Sequence, residues 1–202
     1  VATVISTARF QAASAGAAVA AASSQAQTHQ VLTGLFAHFD RNNAFPDHAL
    51  RLVHDNDLSI YTLAADPSTA QVGNTSLAGF QLLPSGDEKS LVETLARQLP
   101  PDVTAHRLGD YIFTYHGIDP GIDSGLWLII HWPPSGRASP PTQNISVATA
   151  DRTVHTIPAA SFLTELAAQN QLRAAHNLPP LPDPGDITTD KPATSQSPSP
   201  PA

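Results

Sequence analysis

His29-Gln30-Val31-Leu32-Thr33-Gly34-Leu35-Phe36-Ala37-His38-Phe39-Asp40-Arg41-Asn42-Asn43-Ala44-Phe45-Pro46 decides how the rest of this 202-residue chain is read. Val31, Leu32, Leu35, Phe36 and Phe39 recur three and four residues apart, which lines them along one face of a helix. An apolar stripe of that kind docks on a core. Asn42-Asn43 and Pro46 end the helix. Upstream the character changes: Ala12 to Ala26 is almost all Ala, Ser and Gly. Ala is the best helix former, so the helix is predicted to run back over residues 2–42. From Thr7 to Asn42 it spans about 50 Å at 1.5 Å per residue, more than the small domain the remaining chain can build. The rod therefore has two parts. Residues 27–42 pack on this chain's own core through Val31, Leu32, Leu35, Phe36 and Phe39. Residues 2–26 have no such stripe, and small side chains let another backbone approach closely. Ala12, Ala15, Ala18, Val19 and Ala22 are the expected assembly interface.

Composition narrows the classes. A formal charge of −7 and a pI near 5.6 argue against nucleic-acid or anionic-membrane binding, since either needs a basic face. With no cysteine there is no disulfide, thiolate nucleophile or Cys-based zinc site. No run of about 18 apolar residues is present, so the sequence given supplies no membrane span.

Beyond the helix, Pro46 to Asp55 reads as a short helix and Leu58 to Leu63 as a strand. Ser85-Gly86-Asp87-Glu88 has the form of a capping box opening a helix with Leu91, Leu95 and Leu99. Val103 to Leu108, Tyr111 to His116 and Leu126 to Trp132 follow as strands, the last apolar on both faces as in the centre of a sheet. Ile145 to Ala150 and Thr153 to Ile157 form a hairpin over Asp151-Arg152. Pro158 to His176 is a final helix with Phe162, Leu163, Leu166 and Leu172 inward. The expected organisation is a long helix over 1–45, a globular head over 46–177 and a disordered Pro/Ser-rich tail over 178–202. Helices segregated beside a run of antiparallel strands make the fold class α+β.

Chemistry finds little purchase. His116 and His131 are expected in neighbouring strands with His106 and Asp110 near the turn before, and two His with a carboxylate can hold a metal. Their spacing matches no metal motif, so structural sheet histidines are expected. Ser124-Gly125 lacks the Gly-x-Ser-x-Gly elbow of a hydrolase. Asp119 and Asp123 begin a calcium-loop pattern, but the alternating oxygen ligands stop after two carboxylates, so an ordinary turn is expected. Tyr111, Phe113 and Tyr115 share a strand face and, without basic neighbours, belong to the core. No catalytic residue, cofactor or resident metal is expected.

The quoted stretch His29 to Pro46 resembles the helix exit of type IV pilin-like proteins and type II secretion pseudopilins. In those families the helix leaves through an aromatic, a few polar residues, often a Gly, and an aromatic-Pro pair. Phe39 and Phe45-Pro46 fill those slots, and Ala44 stands where Gly is common. Arg107 to Gly117 and Leu178 to Pro182 are also similar to prepilin-like heads. The resemblance implies a non-enzymatic structural subunit, with a long helix packed on a small antiparallel sheet and accessory helices. It also implies an extracytoplasmic place in the bacterial envelope, anchorage in the inner membrane by an apolar segment before Val1, and copies of itself and other pilin-like subunits as partners, with no nucleic acid. Two other readings fit the layout: an extracytoplasmic ligand-binding sensor domain, and a secreted enzyme with a His/Asp site.

Overall fold

The computed structural model describes residues 2–72, 74–119, 121, 124–132, 144–187 and 193–194, with side chains for those from Ala22 to Ile187. The fold is α+β. Helix α1 runs unbroken over Ala2–Asn42. Asn43, with φ +54°, donates its N–H to the Phe39 carbonyl at 2.7 Å and turns the chain out of the helix. Short helical turns follow: α2 at Arg51–His54 and α3 at Ile60–Leu63. A two-residue hairpin, β1 (Gln71–Val72) with β2 (Thr75–Ser76), leads into α4 (Leu77–Phe80) and then α5 (Ser85–Gln98).

The sheet is an antiparallel meander. Strands β3 (Val103–Leu108), β4 (Tyr111–Phe113), β5 (Trp127–His131), β6 (Ile145–Thr149) and β7 (Val154–Ile157) lie side by side in chain order. Helix α6 (Phe162–Ala175) follows, and β8 (Ala193–Thr194) joins the outer edge of β3. The sheet divides two cores. On one face α1 lies across β5, β6 and β7, and Val31, Leu32, Leu35 and Phe36 join Tyr111, Phe113, Tyr115 and Leu128. On the other, Phe162 and Leu166 of α6 meet Trp127, Ile130 and Trp132. Strand β5 feeds both cores, Leu128 and Ile129 on one side and Trp127 and Ile130 on the other, with a register shift between Trp127 and Ile129.

Four expectations are corrected. Leu58 to Leu63 is no strand: the Ser59 hydroxyl accepts from the Tyr61 N–H and caps a single helical turn at Ile60–Leu63. Ser85 does not cap α5; the Pro84 carbonyl takes the Asp87 and Glu88 N–H groups instead. Leu163 and Leu172 of α6 face solvent, and the inward set is Phe162, Leu166, Gln169 and Arg173. The packed part also does not stop at 177. Leu181 and Ile187 are buried in the α6 core. Asn170 exchanges two hydrogen bonds with the Leu181 backbone, and buried Arg173 donates from Nε to the Pro179 carbonyl at 2.7 Å. Burial pushes the Arg173 guanidinium down to about 10, so it stays charged at neutral pH.

Gly109 joins β3 to β4 at φ +61°, and a Cβ there would sit 2.3 Å from the Leu63 carbonyl oxygen. That carbonyl also accepts the Asp110 N–H at 2.8 Å, so it has no room to retreat. Gly109→Ala is expected to lower stability by about 3 kcal/mol in urea unfolding, since it adds backbone strain to a steric clash. A change below about 0.5 kcal/mol would mean the α3 turn yields freely.

Candidate functional site

The side chains that could carry function gather where α1 meets the head. The helix docks through its apolar stripe: Val31 and Leu35 are fully buried, Leu32 and Phe36 nearly so, and Phe39 is half-buried against the same core. Phe36, Phe39, Phe45 and Tyr115 form a ring cluster at the exit, with centroids 5.0 Å apart for Phe39–Phe45 and 5.4 Å for Phe45–Tyr115. Polar contacts fix the register of the rod on the sheet. The Ser24 hydroxyl lies 2.8 Å from His131 Nδ1 and 3.0 Å from the Ser146 hydroxyl. Arg152, from the β6–β7 turn, pairs with Asp40 through both guanidinium nitrogens and stacks 4.2 Å over the Phe36 ring.

Of the expected assembly residues, Ala12, Ala15, Ala18 and Val19 lie outside the described side chains, and Ala22 is exposed on the helix. No described helix is long and apolar enough to cross a membrane.

The histidines group differently from the sequence expectation. His131 stands opposite Tyr111 at one end of β4, whereas His116 lies beyond the other end, so the two do not meet. His116 instead joins His106 and His48. Hydrogen bonds fix the tautomers. The Ala49 N–H donates to His106 Nε2 at 3.2 Å, which leaves the proton on Nδ1 to be donated to His116 Nε2 at 2.9 Å. The Leu50 N–H donates to His48 Nδ1 at 3.1 Å, and the His48 and His106 rings lie 4.8 Å apart. All three are neutral in this arrangement. Burial pushes His48 and His116 down to about 4, and His106 is held well below its ordinary value for the same reason. Both nitrogens of His106 are spent on these bonds, so the cluster is not a metal cage. Asp110, the expected carboxylate partner, accepts the Ala65 N–H at 2.7 Å. Beside His116 a cavity of about 430 Å³ opens between Phe39, Phe45, Tyr115 and Asp119. Asp119 closes its own turn by accepting the Gly121 N–H at 2.8 Å, and Asp123 lies outside the described residues. Ser124 meets Asp151 through its backbone carbonyl, as an ordinary loop residue.

One cluster escaped sequence reasoning. His38, near the end of α1, faces Asp55 and Asp57 of the turn after α2, with Nδ1 at 3.3 and 3.6 Å from their Oδ2 atoms. Arg41 grips both oxygens of Asp57 at 2.5 Å. Gly34, His38 and Arg41 share one face of α1 at helical spacing, but that spacing says nothing of Asp55 and Asp57 coming to meet it. A Cβ at Gly34 would lie 2.8 Å from the Asp57 carbonyl oxygen, so the missing side chain is what lets this turn rest on the helix. No protein-family model, no curated protein and no solved structure matches the chain.

Proposed function

We propose that this chain is a non-enzymatic structural subunit of a pilin-like filament or secretion pseudopilus, assembling through the first half of its long helix. The observation that carries the reading is the continuity of α1 over Ala2–Asn42 together with its division of labour. The half that includes Val31 to Phe39 docks on the head's antiparallel sheet through buried Val31, Leu32, Leu35 and Phe36. The other half has an Ala-, Ser- and Gly-rich sequence with no apolar stripe for the head to cover. Such a helix suits the crowded axis of a helical bundle, where small side chains permit close packing. In this reading the head faces outward, an apolar segment before Val1 anchors the subunit in the inner membrane before assembly, and the partners are further pilin-like subunits outside the cytoplasm. The net charge of −7 argues against nucleic acid as a partner.

The sequence given has no cysteine of its own to compete with an introduced one. In the full-length protein expressed in its own cells, Ala18→Cys should give disulfide-linked dimers on oxidation in the sheared filament or envelope fraction. Ala18→Leu should block assembly while the melting temperature of the head stays within about 2 °C of the parent, as for a substitution away from the core. Normal assembly of Ala18→Leu, or an Ala18→Cys variant that stays monomeric in every fraction, would refute the reading.

A further inference from the structure

We propose that His38, Asp55 and Asp57 bind a divalent transition-metal ion, Zn²⁺ by chemical preference, where the long helix passes the chain to the head. The inference rests on the geometry of this cluster alone, and it stands whether or not the chain builds filaments. Three ligand atoms, His38 Nδ1 and one oxygen from each carboxylate, lie within 4.8 Å of one another. A tetrahedral ion with bonds of about 2.0–2.1 Å holds its ligands about 3.4 Å apart, and the two imidazole-to-carboxylate separations are 3.3 and 3.6 Å. Closing the third separation needs only a small turn of Asp55, the most exposed of the three side chains at 28%.

His38 gives the independent sign. It is 5% exposed, and its Nδ1 is buried, aimed at the two carboxylates and without a hydrogen-bond partner. A buried nitrogen left with only these long contacts is costly, and a metal ion between it and the carboxylates removes that cost. The surroundings are built rather than fortuitous. Asn56 takes φ +60° in the turn between the two aspartates, the Asp57 N–H bonds the Leu52 carbonyl at 2.8 Å, and Gly34 lets the Asp57 backbone lie on α1. Arg41 holds Asp57 from outside, the place of an outer-shell partner that orients a ligating carboxylate. A carboxylate offers about four lone-pair sites, so Asp57 can serve guanidinium and metal together. The nitrogen ligand and small ligand number favour Zn²⁺ over Ca²⁺ or Mg²⁺, which take more oxygens. Solvent reaches the cluster from the Asp55 side, so water can fill the fourth position.

Equilibrium dialysis of the purified chain against Zn²⁺, with metal counted by mass spectrometry, tests the proposal. One Zn²⁺ per chain is expected, with a melting temperature several degrees higher than in chelator. Asp55→Asn and His38→Gln should each abolish the stoichiometric ion and the thermal shift, while His155→Gln, an exposed histidine elsewhere, retains both. Because Asp55→Asn keeps the shape of a half-exposed side chain, its apo-protein melting curve shows that the fold is intact. Co²⁺ in place of Zn²⁺ should give the intense visible bands of a four-coordinate site. No stoichiometric ion, or binding that survives in Asp55→Asn, would overturn it. So would a His38 that simply holds a proton between the carboxylates and is indifferent to Zn²⁺.

Discussion

Leu35→Asp is expected to abolish cooperative melting of the head altogether. Leu35 is fully buried among the α1 stripe and the sheet. Truncating such a leucine to alanine costs about 2–5 kcal/mol through lost burial and the cavity left behind. Aspartate adds the desolvation of a carboxylate among apolar neighbours. A domain of this size holds about 5–15 kcal/mol in total, so the combined loss removes most or all of it. Circular dichroism should show a broad, non-cooperative decline, while Leu35→Ala keeps a sharp transition at lower temperature. A melting temperature equal to the parent's for Leu35→Asp would mean that this half of the helix is not docked.

The second large effect is one of pH. His48 and His116 sit at about 4 in the folded protein against 6.5 when exposed. A depressed folded value means the unfolded chain binds the proton first. Stability is therefore fully present above about 6.5 and declines as pH falls through the interval down to about 4, where it levels off. Each depression is worth on the order of 3 kcal/mol at most, and the two overlap because His48 and His116 repel each other when charged. His106 adds in the same direction, since protonating its Nε2 would set an N–H against the Ala49 N–H that now donates to it. The melting temperature should fall steeply between neutrality and about pH 4, and His116→Gln should shallow that slope while lowering stability at neutral pH. A flat profile over that interval would show that the three imidazoles take up protons without disturbance.

Both effects trace to residues whose legibility in the sequence differs sharply. Leu35 was readable because its stripe repeats at helical spacing and is bounded by breakers. The meander was readable because its strands are dense in β-branched and aromatic residues and punctuated by Gly109-Asp110 and Asp151-Arg152. The segment Leu58 to Leu63 misled because its apolar residues fit either period over so short a run, and the Ser59 cap decided between them. The stretch after Leu178 misled for another reason. Its proline content reads as disorder, yet proline lacks an N–H, so such a segment can lie against a domain with few backbone donors left to satisfy. Two apolar anchors, Leu181 and Ile187, and the side chains of Asn170 and Arg173 hold it. In α6, Arg173 took an inward position because the returning chain brought a carbonyl to meet it. The His38–Asp55–Asp57 cluster follows no local motif. It exists because Gly34 allows two segments well separated in sequence to touch, a tertiary fact that no spacing rule states.

The unbroken course of α1 from Ala2 to Asn42 has a geometric consequence. A rod without a hinge, seated by Ser24, Phe36 and Asp40 in a single register, fixes the azimuth of the head about the rod's axis. Each residue inserted ahead of Ser24 turns the head by about 100° and lifts it about 1.5 Å relative to anything held by the first turns. The length of the Ala-rich stretch is thus an angular setting: a partner bound to the first turns would meet the head on a side fixed by that length.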